Sequence, residues 1–187
     1  MGIIGKDFKF KKIENFITKD EISLLSTYCR MIHTNNIYNF DLAEQNNSNT
    51  GDTFLYGDPI MDSLLLKKQS VVEKECGKKI LPTYSFWRAY TKFADLKKHK
   101  DRGSCEISVT LKIGGDDIDW PIFMDGTPIN LKKGDAAVYL GREVLHWRDE
   151  YQGDGQFQCF LHYVDADGKY KDYHVDKRSN FGMKAGQ

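Results

Sequence analysis

This chain has no paired cysteines, no excess of either charge and no long apolar run, and each absence removes a class of protein. Its four cysteines, Cys29, Cys76, Cys105 and Cys159, lie far apart, form no CxxC pair and follow no secretion signal. They read as reduced thiols of a cytosol-like compartment, so a cytoplasmic location is expected. Lys plus Arg and Asp plus Glu both number 27. That balance removes the broad positive field by which a protein grips nucleic acid through phosphates, although local basic patches survive. No apolar stretch approaches membrane-spanning length, so neither membrane nor nucleic acid is an expected partner. No internal repeat is visible.

What is present argues for a folded chain. A length of 187 residues suits a single domain, 1–187, that buries a core without help from disulfides or a structural metal. Hydrophobic residues at 40% and aromatics at 13% support order throughout, the polar segment 41–53 and the tail from Asp165 being the exceptions.

Two helices are expected early. Thr18 and Glu21 stand at capping-box spacing, flanked by a possible staple of Ile17 and Ile22, and Ile22, Leu25, Cys29 and Ile32 recur at helical spacing over 19–33. His33 near its end reads as a surface residue favoured by the helix dipole. Over 59–76, Asp58 serves as cap, Pro59 suits the first position and Gly77 suits the stop. After Pro82 the pattern turns to short β-rich runs such as "TYSFWRAYTKF", "CEISVTLKIG" and "QFQCFLHYV", divided by Gly, Asp and Pro. The expected architecture is α+β: a jelly roll over 82–164, helical support from 1–81 covering one outer sheet face, and a tail over 165–187.

The chemistry-bearing candidates sit in the β-rich half. In "CEISVTLKIG" the odd positions Cys105 to Ile113 are apolar while Glu106, Ser108, Thr110 and Lys112 are polar, so the polar face is free to line a cavity. Just before it, His99 and Asp101 at i and i+2 of an extended chain point to one side and can grip one ion. With 27 acids in 187 residues, about one in seven, such pairs arise by chance, and His174-Val175-Asp176 is a second. A facial triad needs another histidine from elsewhere. The His174 pair has only eleven residues after it, whereas His99 has the later sheet ahead, including His146. His162, in "QCFLHYV", is the rival third ligand and equally suits a hydrogen-bonded structural histidine. The residues alone leave open whether His99, Asp101 and His146 are ligands or a charged edge and a core histidine.

The order "YTKFADLKKHKDRGSCEISVTL" followed by "LKKGDAAVYLGREVLHWRDEYQGDGQFQCFLHYV" resembles the iron(II) and 2-oxoglutarate-dependent dioxygenases, in particular their prolyl-hydroxylase-like branch. The matching features are Tyr90 and Leu96 leading into His99-x-Asp101, the Gly134-Asp135 turn before the strand over 136–140, and His146 followed by a glycine-containing turn and a last strand. The resemblance spans about residues 82–164 and implies a double-stranded β-helix, cupin-like, buttressed by N-terminal helices. It also implies catalytic and metal-ligating roles for His99, Asp101 and His146 on iron(II). The cofactors would be Fe(II), 2-oxoglutarate as co-substrate and dioxygen. The reaction would be hydroxylation of a small-molecule or peptidyl substrate with release of succinate and carbon dioxide.

One departure from that family stands out. Its usual Arg or Lys about ten residues after the second histidine is replaced here by the neutral Gln156 and Gln158. A buried carboxylate needs a cation, and Arg148 is the first candidate because it shares the face of His146 two residues on. Arg102 and Lys112 follow, and Tyr90 and Ser108 would add hydroxyls to the same co-substrate. The departure keeps two other readings open: a jelly-roll metal- or ligand-binding module without oxygenase activity, and a cupin-like metalloenzyme that dispenses with 2-oxoglutarate. Trp87, Trp120 and Trp147 read more readily as core than as a substrate mouth, and Lys97, Lys98 and Lys100 as a solvated or edge-protecting face.

Overall fold

Helix α1 (Lys19–Tyr38) starts where its capping box lies. The Glu21 backbone N–H donates to Thr18 Oγ1 over 3.2 Å, and the Thr18 N–H donates to the Glu21 carboxylate over 2.7 Å. In the computed structural model, which describes residues 8–38 and 53–183, this helix runs past the expected stop at 33. Tertiary contact explains the extension. His33 Nδ1 lies 2.8 Å from Thr53 Oγ1 and the buried Asn36 amide donates to the same oxygen. His33 is therefore half-buried, not a free surface residue. The expected polar segment 41–53 falls outside the described residues except for Thr53.

Helix α2 (Pro59–Cys76) matches its expected limits. The Asp58 carboxylate accepts from Ile60 N and Met61 N, and Gly77 adopts φ 69°, a left-handed stop that glycine enters without steric cost.

The described residues form ten strands, numbered in chain order: β1 (Phe10–Ile13), β2 (Thr53–Tyr56), β3 (Ile80–Thr91), β4 (Leu96–His99), β5 (Ile107–Gly115), β6 (Ile122–Met124), β7 (Thr127–Ile129), β8 (Ala136–Tyr139), β9 (His146–Arg148) and β10 (Gly155–Asp165). They form a large sheet, β1-β8-β5-β10-β3-β2, and a small one, β4-β9-β6-β7. Every pairing is antiparallel. Contrary to expectation, the helices do not both precede all of the sheet: β1 and β2 flank α1 in sequence and close the two edges of the large sheet.

The alternation of β5 divides its environment as its sequence requires. Ile107, Val109, Leu111 and Ile113 join Leu25 and Cys29 of α1 and Leu64, Leu65 and Val72 of α2 in the main core. Trp87 belongs to that core as well. The opposite face carries Ser108, Thr110 and Lys112, all buried, toward the small sheet. A second cluster, Ile122 and Met124 against Ala137 and Tyr139, binds the two sheets together. Helices thus load one face of the large sheet, and the other becomes the polar wall of an interior space. All four cysteines are buried free thiols.

Candidate metal centre and its cavity

His99 ends β4 and His146 begins β9, and the two are direct partners in the antiparallel register of the small sheet. That pairing sets the imidazoles side by side, with ring centroids 4.3 Å apart. Two residues beyond His99 the chain is held by a 2.8 Å hydrogen bond from Asp101 N to Gly141 O. The Asp101 carboxylate thereby reaches both rings: Oδ1 lies 3.5 Å from His99 Nε2 and 3.4 Å from His146 Nε2.

The remaining polar atoms of the three side chains are already engaged. His99 Nδ1 lies 2.7 Å from Lys97 O, and His146 Nδ1 lies 3.0 Å from Val144 O. A carbonyl oxygen only accepts, so both Nδ1 atoms carry the proton and both Nε2 lone pairs turn toward Asp101. Asp101 Oδ2 accepts from Ser108 Oγ over 2.9 Å. Burial would push the Asp101 carboxyl up, but His146 and His99, which donate from Nε2 when their rings are protonated and no ion is held, outweigh it and keep the group well below the usual carboxylate range.

Two nitrogens and one oxygen in this arrangement suit a divalent transition metal with open positions. Ligand atoms about 2.1 Å from one ion and at right angles lie about 3 Å apart, so separations of 3.4 and 3.5 Å need only a small adjustment. The second group of possible ligands, Asp101, Cys105 and His162, is less suited. Burial pushes the Cys105 thiol up to about 12, its sulfur lies 3.1 Å from the Tyr84 hydroxyl, and Ser108 Oγ bonds both Asp101 and His162. His162, lowered by burial to about 4, is a neutral wall residue. The pair His174 and Asp176 does not converge: His174 lies against Phe181, while Asp176 bonds Arg102 and Tyr56.

A cavity of about 360 Å³ opens beside His99, Asp101 and His146. Arg148 lies behind its wall and does not line it. The guanidinium is buried over the Trp120 ring, donates from Nη1 to Trp120 O, and leaves Nε and Nη2 without partners. Burial lowers Arg148 to about 10, and the charge acts on Tyr90 and Tyr139, which do line the cavity. Lys112, also buried, donates weakly to Ile118 O at 3.5 Å. Arg102 is turned away to Asp176 at 2.5 Å. Gln156 and Gln158 form a chain to Thr110 Oγ1 that leaves Gln156 Oε1 open. Trp120 packs inside with Tyr90 and Tyr151, whereas Trp147 stacks on Phe123.

Sequence reasoning missed two residues of this site. Arg88 lines the cavity between Phe86 and Tyr90, a position that the period-two phase of β3 encodes once its inward face is known. Gly141 stands where a Cβ would collide with Asp101 Oδ2, Cys105 O and Ser108 Oγ.

No family model matches the chain, and no curated protein resembles it by sequence. Among solved structures the fold is similar to that of prolyl hydroxylases. A prolyl-4-hydroxylase of Pseudomonas putida superposes with TM-score 0.62 at 18% identity, over 84% of this chain and 93% of its own. The viral collagen prolyl hydroxylase of Paramecium bursaria Chlorella virus-1, in complex with 2-oxoglutarate, gives 0.61 at 12% identity over 87% and 98%. HygX of Streptomyces hygroscopicus, with nickel and 2-oxoglutarate bound, gives 0.64 at 10% identity over 86% and 84%.

Proposed function

We propose that this chain is a non-haem iron(II) dioxygenase that uses 2-oxoglutarate, a single-domain double-stranded β-helix that hydroxylates its substrate. The observation that carries this reading is the meeting of His99 Nε2, His146 Nε2 and Asp101 Oδ1 beside a cavity, with both Nδ1 atoms tied to backbone carbonyls. His99, Asp101 and His146 would hold the metal. When bound, it and 2-oxoglutarate would supply oxidative decarboxylation of the co-substrate by dioxygen, giving succinate, carbon dioxide and an oxidised substrate.

The chain's own residues account for the remaining requirements. Ser108 fixes the rotation of the Asp101 carboxylate, a positioning role in place of the direct co-substrate contact first expected of it. Arg148 is the proposed anchor for the far carboxylate of 2-oxoglutarate. A buried guanidinium with two unpartnered nitrogens, Nε and Nη2, is costly unless an anion completes it, and a carboxylate matches its fork. Tyr90, on the cavity side of that charge, would add a hydroxyl. A cation on β9 would thus replace the one absent from β10, where Gln156 and Gln158 stand.

Anaerobic addition of iron(II), then 2-oxoglutarate, should give a visible metal-to-ligand charge-transfer band. Folded, iron-loaded protein that gives no band would overturn the co-substrate assignment in favour of a metal-binding module. Arg148→Gln should weaken 2-oxoglutarate by about tenfold or more and leave iron affinity unchanged. Unchanged co-substrate affinity would move the anchor to Lys112 or Arg88.

A further inference from the structure

His162 lines the cavity, and one of its ring nitrogens lies within 4.8 Å of an Asp101 carboxylate oxygen. Its Nδ1 stands 2.9 Å from Ser108 Oγ. The single hydroxyl proton of Ser108 is already committed, because its other neighbours, Asp101 Oδ2 at 2.9 Å and Cys105 O at 3.2 Å, can only accept. Ser108 Oγ therefore accepts from His162, and Nδ1 carries the imidazole proton. Nε2 is left as an acceptor with no hydrogen-bond partner among the described residues. Burial lowers the ring to about 4, so this nitrogen stays unprotonated at neutral pH.

The surroundings limit what can complete it. Phe86 and Phe160 line the same cavity with ring centroids 6.0 Å apart, and the Phe160 ring is nearly parallel to that of His162, at 3°. Both arginines of the lining are engaged: Arg102 bonds Asp176, and Arg88, over the Tyr90 ring, has a further partner as well. 2-Oxoglutarate, ionised at neutral pH, carries only acceptors and cannot satisfy another acceptor.

We propose that His162 is a specificity-determining residue, its Nε2 accepting a hydrogen bond from a neutral O–H or N–H group of a substrate whose apolar body lies against Phe86 and Phe160. The inference rests on the dioxygenase reading, under which the cavity beside His99, Asp101 and His146 receives the substrate. A chain of donors then runs from substrate to His162, from His162 to Ser108 and from Ser108 to Asp101. An analogue without the donor leaves a buried acceptor unmade, which is the stronger basis for discrimination, since an unsatisfied polar group costs more than a made bond gains.

The test uses the full chain carrying isotopically labelled histidine, loaded with zinc(II), a diamagnetic ion, and 2-oxoglutarate, and read by nitrogen NMR. At neutral pH the His162 ring should show a protonated Nδ1 and a bare Nε2. Phenol should shift the Nε2 resonance in the direction of hydrogen bonding, and anisole, its methyl ether, should not. Phenol should also bind about three- to tenfold more tightly than anisole. That difference should vanish in His162→Phe, which keeps a flat ring and loses the nitrogen, and survive in part in His162→Gln, which keeps an acceptor. The proposal is overturned if the parent carries its proton on Nε2, if anisole binds as tightly as phenol, or if His162→Phe still prefers phenol. It is equally overturned if Nε2 already reports a hydrogen bond that phenol leaves unmoved, since the nitrogen would then serve a bound water. The tautomer and the two affinities are read on the parent, so they stand even where a variant fails to fold. Failure of 2-oxoglutarate to bind counts against the dioxygenase reading alone, because the tautomer and the comparison of phenol with anisole are read equally on metal-free protein.

Discussion

At the scale of single residues, the site depends on groups that hold Asp101 as much as on Asp101. Its carboxylate is turned by Ser108 Oγ, and the space it occupies exists because residue 141 has no side chain. Removing an outer hydrogen-bond partner of a metal ligand typically costs about 10- to 100-fold in metal affinity. Ser108→Ala should therefore weaken iron or nickel by about that factor while the unfolding temperature stays near that of the parent, as read by competition with a chromophoric chelator. Gly141→Ala should be more severe, because the new methyl displaces the carboxylate itself. Equal affinity in Ser108→Ala and the parent would show that the carboxylate needs no such support. The approach of His99 and Asp101 to one another was legible because period two puts i and i+2 on one side of an extended chain. Gly141 was not, since a glycine after a strand has many possible reasons and the decisive one is a collision with residues 33 to 40 positions earlier.

At the scale of elements, the helices were legible because their signals are local. Thr18 and Glu21, and Asp58 with Gly77, make the expected capping bonds. The four-residue strands β1 and β2 were not, because each is too short to display an alternation and exists by pairing with a longer neighbour. Glu21 also acts between elements: besides capping α1 it meets Lys67 at 2.8 Å and Lys68 at 3.1 Å on α2. Burial raises its carboxyl, but Lys67, the Thr18 N–H and Lys68 outweigh that and bring it from 4.5 down to about 2. A depressed carboxylate stabilises the fold above its unfolded value and ceases to do so as pH falls through its folded value. Glu21→Gln should cost about 1–2 kcal/mol at neutral pH, allowing for solvent screening, and the difference should close as pH falls from about 4.5 toward 2. Denaturant unfolding of both proteins across that range checks it; a gap independent of pH would assign the loss to something other than charge.

At the scale of the whole molecule, the tail proves to be a tie between distant parts, which sequence left undecided because its partners lie far along the chain. Tyr170 and Tyr173 pack against Gly103, Asp176 bonds Arg102 and Tyr56, and Arg178 reaches Asp62 of α2 at 2.6 Å, 116 residues away. Asp62 also accepts from the Ser85 N–H and hydroxyl and from Gly182 N, and both members of the ion pair are buried. Between these anchors Val175, Asp176 and Lys177 hold φ of 64°, 48° and 65°, a left-handed run that a β-branched valine enters only under constraint. Arg178→Ala would leave the Asp62 charge buried without a cation, a change that typically costs about 3–5 kcal/mol. The expected result is a destabilisation of about that size, largely relieved in Asp62→Asn/Arg178→Ala because the stranded charge is gone. With its anchor released, the left-handed run should relax and Asp176 should let go of Arg102, the residue next to Asp101. Metal affinity should then fall in Arg178→Ala under conditions where the protein remains folded, and fall similarly in Asp176→Asn, which leaves the Asp62 pair intact. Were both variants to bind metal as the parent does, the tail would serve stability alone, and the ligand loop would be held by Gly141 and Arg142, which bond the Asp101 backbone from the other side.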